Sequence, residues 1–79
     1  MPETVKVTRF TINMEAMSIN FFRLWVYEDA SDTHGYVLST NGRTVKTALV
    51  QQALAAVRTL WESGEALVQV EGREIVGFE

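Results

Sequence analysis

The segment over residues 19–27 reads Ile-Asn-Phe-Phe-Arg-Leu-Trp-Val-Tyr, and as an extended strand it is apolar on both faces. Alternate side chains fall into two sets: Phe22, Leu24 and Val26 on one face, and Ile19, Phe21, Arg23, Trp25 and Tyr27 on the other. The chain offers one helical segment to cover a sheet, so one of these faces has no partner within the chain. This surplus indicates a surface that binds another molecule rather than a catalytic site.

The spacing of apolar residues changes once, after the turn-forming pair Asn41-Gly42. Beyond it, apolar residues recur at about 3.6 positions, which predicts a helix over residues 45–63. Its apolar face is predicted to contain Leu49, Ala53, Ala56, Val57 and Leu60, widened by Val45, Val50, Leu54 and Trp61. We expect the following side chains to be buried in the core: Leu24, Val26, Leu49, Leu54, Val57 and Leu60.

Alternating segments on both sides of the helix predict the strands. They cover residues 4–14, 19–28, 36–40, 65–70 and 73–78. In the first strand the apolar phase flips near Thr8 and Arg9, which indicates a bulge or a strand whose ends contact different layers. The pair Glu71-Gly72 predicts a turn between the last two strands, which otherwise form one long strand.

These elements predict one α+β domain over residues 1–79, with the order β-β-β-α-β-β. We expect an antiparallel sheet of four or five strands, with the helix packed on one face as a second layer. The first two strands should pair as an antiparallel hairpin, because their connection is too short for a parallel crossover.

Composition narrows the classes of function. The 79 residues include ten acidic and seven basic side chains, for a net charge of −3, which argues against direct binding of nucleic acid. There is no cysteine, which excludes disulfides and cysteine nucleophiles. The polar N-terminus predicts no signal peptide, and no apolar run approaches the roughly 20 residues of a membrane span. We therefore expect a cytoplasmic protein that does not contact membranes.

The sequence shows little sign of catalysis. His34 is the single histidine and stands in a polar loop beside Gly35. Asp29, Ser31 and Thr33 have the spacing of the first ligands of a calcium loop, but His34 replaces the glycine that should follow. No nucleophile motif and no phosphate-binding glycine cluster is present. We predict a protein that is not an enzyme and that holds no cofactor and no metal.

The residues predicted to bind a partner form two groups. The face of residues 19–27 that has no partner within the chain carries aromatic and basic side chains, which are typical of the centre of an interface. Acidic side chains in the next loop would steer the protein toward a basic surface. The predicted contact residues are Phe21, Arg23, Trp25, Tyr27, Glu28, Asp29 and Asp32.

In length, acidity and single α+β architecture the chain resembles small phage-encoded inhibitors of bacterial defence, including many anti-CRISPR proteins. The resemblance concerns this general character and carries over no site residue. It implies an inhibitor that binds a larger, basic, nucleic-acid-handling complex. Two alternatives remain: a self-associating structural module with a symmetric interface at Phe21, Trp25 and Tyr27, and an accessory subunit of a larger complex.

Overall fold

The computed structural model describes residues 1–14, 22–40 and 47–79. In chain order its elements are β1 (Glu3–Val7), β2 (Arg9–Met14), β3 (Phe22–Tyr27), β4 (Tyr36–Ser39), α1 (Thr47–Ser63), β5 (Ala66–Glu71) and β6 (Glu74–Phe78). The helix confirms the prediction of one change in apolar period. Residues 45 and 46 of the predicted helix, and residues 19–21 of the predicted second strand, lie outside the described residues.

Six strands from the described residues form one mixed sheet, in the order β1-β5-β6-β4-β3-β2. Neighbouring strands run antiparallel except β4 and β6, which run parallel and meet at Val37 and Glu74. The prediction of four or five antiparallel strands is therefore wrong in number and in the direction of this pair. A parallel pair needs a long crossover, and here α1 and β5 lie between the two strands.

The two edge strands are the two halves of one bent segment. β1 pairs with β5, β2 pairs with β3, and only Thr8 lies between β1 and β2. Two hydrogen bonds fix the bend: the Thr8 N–H donates to the Tyr27 carbonyl oxygen at 2.8 Å, and the Thr8 hydroxyl donates to the Glu28 carbonyl oxygen at 2.9 Å. Because the two opposite edges of the sheet are continuous at Thr8, the sheet must curve until its edges approach each other at this residue.

The bend also explains the phase flip in the sequence. Val7 is fully buried before Thr8, and Phe10, on the opposite parity, packs against the same core after it. The predicted flip is confirmed, while the single strand predicted over residues 4–14 becomes two. At Thr8 the alternation shifts by one residue, so that odd-numbered side chains point inward in β1 and even-numbered ones in β2. The apolar side chains of both strands therefore face the core.

One hydrophobic core receives side chains from every strand and from the helix. Its buried members are Val7, Leu24, Val26, Leu38, Val50, Ala53, Leu60, Val68, Val70 and Ile75. Helix α1 packs against β6, β5 and β2, so it lies across the curled sheet instead of forming a flat second layer. The single-domain α+β prediction holds at that coarser level.

The predicted core residues divide into three groups. Leu24, Val26 and Leu60 are buried, as expected. Leu49 and Val57 are partly buried and pack against the core. The prediction for Leu54 is wrong, since its exposed fraction is 37%.

Glycines shape the two turns after the helix. Gly64 has a φ of 85° and donates its N–H to the Leu60 carbonyl oxygen at 3.0 Å, which closes the C-terminus of α1. Gly72 has a φ of 61°, and Glu71 pairs with Glu74 across the turn. β5 and β6 are therefore a hairpin, and the alternative of one long strand is excluded.

Candidate partner-binding surface

The outward face of β2, β3 and β4 forms the candidate site, called the sheet surface below. Strand register places Trp25 of β3 between Thr11 of β2 and Val37 of β4. On the same strand Leu24 and Val26 point inward and are fully buried, whereas Trp25 is only partly buried. The sheet surface consists of Arg9, Thr11, Asn13, Arg23, Trp25, Tyr27, Val37 and Ser39. From Arg23 to Tyr27 the division into an inward and an outward face is thus as predicted, while the predicted inward position of the Phe22 side chain lies outside the described part of the structure.

Arg23 is the exposed cation next to Trp25 on this surface. It pairs across the strands with Asn13, which is also exposed, and it makes no ion pair or hydrogen bond with the described residues. Within the described part of the chain, its guanidinium therefore keeps its donors for a carboxylate or carbonyl of another molecule. Phe21, the fourth predicted aromatic or basic contact, lies outside the described residues.

Tyr27 has a structural role at the end of the sheet surface. The Arg9 guanidinium lies over its ring, 4.9 Å from the ring centre, and also donates to the Asp32 carbonyl oxygen at 3.3 Å. On another side the ring lies so close to Gly35 that a Cβ there would be 2.8 Å from two ring carbons. Arg9 and Gly35 therefore already contact the ring of Tyr27 within the chain. Tyr27 helps to hold this end of the sheet together, and less of its ring is left for a partner.

Two of the three predicted loop acids hold the loop between β3 and β4 together. Asp29 Oδ1 accepts from the Ser31 N–H at 2.9 Å, the Ser31 hydroxyl at 2.6 Å and the Asp32 N–H at 3.1 Å. Asp32 Oδ1 accepts from the N–H groups of His34 and Gly35 at 3.2 and 3.0 Å, and its Oδ2 accepts from the backbone of residue 28 at 3.2 Å. Both carboxylates therefore act as local caps of this turn.

These hydrogen bonds lower the pKa of both aspartates below their ordinary value of 3.8. For Asp29 the main cause is the Ser31 hydroxyl, and for Asp32 it is the Gly35 N–H. The exposed Glu28 differs, since it uses only its backbone and its carboxylate makes no hydrogen bond or ion pair with the described residues. Glu28 is therefore the loop acid that remains available to a partner.

Among the described side chains Trp61 is the most exposed aromatic one, and this exposure was not predicted. Trp61, which was placed at the margin of the apolar helix face, has an exposed fraction of 81%. One residue turns a helix by about 100°, so Trp61 points away from the direction of the buried Leu60. A signal was present: Ala53 and Ala56 mark the line of closest approach to the sheet, and Trp61 does not lie on it.

Comparisons with known proteins give no assignment. The chain matches no protein-family model, and searches of curated proteins and of solved structures found no match. Among residues 1–14, 22–40 and 47–79, no helix has the length and apolar character to cross a membrane. The same residues contain no group of three or more His, Asp or Glu side chains placed to hold a metal ion.

Proposed function

We propose that this protein is a small binding module that docks on another protein through the sheet surface, with Trp25 and Arg23 at the centre of the contact. The observation that carries the proposal is a partly exposed tryptophan beside an exposed arginine on the face of β3 opposite the core, with no ion pair from that arginine to any described residue. Tryptophan and arginine are the residue types most often found at energetic centres of interfaces.

The backbone beneath these side chains favours binding without rearrangement. β3 is hydrogen-bonded on both sides, to β2 and to β4, and its inward side chains are fully buried. The position of Trp25 is therefore set before a partner arrives, which reduces the entropy lost on association.

We further propose that the partner is basic and belongs to a larger nucleic-acid-handling complex, which the protein inhibits. The resemblance to phage-encoded inhibitors of bacterial defence motivates this step, and the net charge of −3 and the available Glu28 carboxylate support it. Opposite charge on the two surfaces would raise the association rate more than the final affinity.

A matched pair of double variants tests the docking surface. Arg23→Glu with Trp25→Ala alters the sheet surface, while Arg58→Glu with Trp61→Ala makes the same changes on α1. Immobilised wild-type protein and both variants are incubated with lysate of the source cells, and captured proteins are quantified by mass spectrometry. We expect the sheet variant to lose a protein that the wild type and the helix variant retain. Equal capture by all three, with unchanged circular dichroism, would contradict the proposal.

A second candidate, binding of a single-stranded oligonucleotide, is favoured by the strand order. If the bent β1–β2 segment counts as one strand, the sheet has five strands. Helix α1 then lies between the third and fourth strands (β4 and β5), and the third and fifth strands (β4 and β6) run parallel. This is the strand order of the oligonucleotide- and oligosaccharide-binding barrel, which binds on its second and third strands, here β3 and β4. The shared strand order is a similarity of fold, and by itself it does not carry over a function.

Titration with a fluorescein-labelled oligothymidylate separates the two candidates. Aromatic stacking and phosphate contacts would give binding at low salt that weakens steeply as salt rises. Under the primary proposal we expect no change in anisotropy, because Trp25 and Arg23 are few contacts for a nucleic acid and the protein is acidic overall. Salt-sensitive binding that Trp25→Ala removes would establish the second candidate instead.

A further inference from the structure

We propose that the segment of the partner that contacts the sheet surface carries an acidic side chain, which binds Arg23, beside an apolar side chain, which packs on Trp25. This inference rests on the proposed docking through the sheet surface and names the chemistry of the contacted segment. It does not depend on the basic character proposed for the partner as a whole, because Glu28 lies in the loop beyond β3.

The charge of the sheet surface is opposite to that of the whole chain. Its eight residues include two arginines, Arg9 and Arg23, and no acidic residue, whereas the chain has a net charge of −3. Complementary charge at an interface favours the correct partner and disfavours like-charged ones. At this face an acidic group of the partner is therefore favoured over a basic one.

The two arginines differ in what they already contact. The Arg9 guanidinium lies 4.9 Å from the centre of the Tyr27 ring and donates to the Asp32 carbonyl oxygen at 3.3 Å. Arg23 is exposed and makes no hydrogen bond or ion pair with the described residues. A guanidinium binds a carboxylate through two parallel hydrogen bonds, so Arg23 is the cation of this surface best suited to a carboxylate of the partner.

An apolar contact lies at a fixed distance from this cation. Trp25 is two residues from Arg23 on the same face of β3, which places their Cα atoms roughly 7 Å apart. Across the strands Trp25 pairs with Val37, which is also partly buried, and the two form the apolar part of the surface. An extended segment repeats its side chains at the same distance, so it matches this surface with an acidic and an apolar residue two positions apart.

A phosphate group has the same attraction to Arg23, yet the surface fits a protein segment better than an oligonucleotide. Single strands are bound in grooves where several cations follow the phosphates. Within the described residues the sheet surface offers two cations, and one of them, Arg9, already contacts Tyr27 and Asp32. We therefore assign the acidic group to an aspartate or glutamate of a protein.

Selection from a phage-displayed library of random dodecapeptides tests this chemistry without the natural partner. The immobilised proteins are wild type, Arg23→Glu, Trp25→Ala and Arg58→Glu, which places the same charge reversal on α1. We expect wild type and Arg58→Glu to enrich the same peptides, with Asp or Glu at a fixed spacing from an apolar residue. Arg23→Glu should enrich Lys or Arg at the acidic position, and Trp25→Ala should lose the apolar preference. Circular dichroism checks that each protein is folded.

A synthetic peptide with the wild-type consensus measures the contact by fluorescence anisotropy. Replacing its acidic residue by the corresponding amide, or Arg23 by glutamine in the protein, should each weaken binding about five- to tenfold. Both changes together should weaken binding little more than either alone, because they remove the same interaction.

Two results overturn the inference and leave the docking proposal intact: enriched peptides without an acidic preference, or an acidic preference that Arg23→Glu does not change. Peptides that bind Trp25→Ala as well as wild type contradict docking through the sheet surface itself. The inference is also wrong if no peptide is enriched, if oligothymidylate displaces the consensus peptide, or if wild type self-associates in sedimentation and Arg23→Glu does not. Capture from lysate then decides the docking proposal separately.

Discussion

The sheet surface and helix α1 each present a tryptophan, yet the two side chains are held differently. Trp25 is partly buried between cross-strand neighbours, and its strand is paired on both sides. Trp61 projects from a single helix with 81% of its surface exposed. The sheet therefore offers a surface with a fixed shape, whereas the helix offers an isolated projecting side chain.

This difference follows from the geometry of the two kinds of element. A strand has only two directions for its side chains, so the buried Leu24 and Val26 fix Trp25 outward. A helix distributes its side chains around a full circle, and the width of its buried arc depends on how closely it approaches the sheet. On α1 that arc is narrow, and Leu54 and Trp61 lie outside it.

The largest contrast should appear between neighbouring residues of α1. Leu60 is 5% exposed and fills the core, so Leu60→Ala should lower the free energy of unfolding by about 2–4 kcal/mol through the cavity it leaves. Trp61→Ala should change it by less than about 0.5 kcal/mol, because the side chain is already in solvent. Urea unfolding of both variants measures the two values. Similar losses would mean that Trp61 belongs to the core after all.

A second contrast concerns two glycines with positive φ. A Cβ at Gly35 would lie 2.7 Å from the Val26 carbonyl oxygen and close to the Tyr27 ring, whereas one at Gly64 would meet nothing within 4 Å. Gly35→Ala should therefore cost about 2–4 kcal/mol, from backbone strain plus overpacking beneath the sheet surface. Gly64→Ala should cost only the strain, about 1–2 kcal/mol. Equal destabilisation of the two variants in thermal unfolding would show that the loop around Gly35 rearranges to admit the new methyl group, and that this loop does not fix the position of the Tyr27 ring.

A third contrast compares the exposure of the two tryptophans directly. Acrylamide should quench the fluorescence of Trp25→Phe, in which only Trp61 remains, several times more strongly than that of Trp61→Phe. Both variants are measured at the same low protein concentration. Equal quenching constants would contradict the difference in exposure on which the comparison rests.

Much of this fold could be predicted from the sequence, because the signals are local. The change in apolar period identified α1, and Gly72 marked the last hairpin. The phase flip near Thr8 was also visible, but its consequence was not. Pairing of β1 with β5 and of β2 with β3 is a long-range choice that alternation within one segment does not encode. The parallel pair of β4 and β6 was missed for the same reason.

The candidate site was predictable to a similar degree. The outward placement of Arg23 and Trp25 followed from alternation alone. The roles of Asp29 and Asp32 did not, since composition shows three carboxylates in a loop but not which of them accept hydrogen bonds from its backbone. The exposure of Trp61 was not predicted either: Ala53 and Ala56 mark the centre of the buried face, but the width of that face depends on the distance between α1 and the sheet.

The smallest expected effect is on the thermal midpoint, and it distinguishes Asp29 and Asp32, which accept hydrogen bonds within the loop, from Glu28, which does not. The pKa values of Asp29 and Asp32 are lowered in the folded protein, so their ionised forms stabilise the fold. This stabilisation is complete above the ordinary pKa of 3.8 and is lost as the pH falls through the lowered pKa values of the folded protein.

Thermal midpoints of wild type, Asp32→Ala and Glu28→Gln, measured from neutral to strongly acidic pH, should show this loss. Asp32→Ala should lower the midpoint slightly at neutral pH and flatten its fall below pH 3.8. Glu28→Gln should leave the midpoint at neutral pH unchanged, because that carboxylate accepts no hydrogen bond within the described part of the chain. If Glu28→Gln instead destabilised the protein as much as Asp32→Ala, the carboxylate of Glu28 would be structural, and the loop would present no acid reserved for a basic partner.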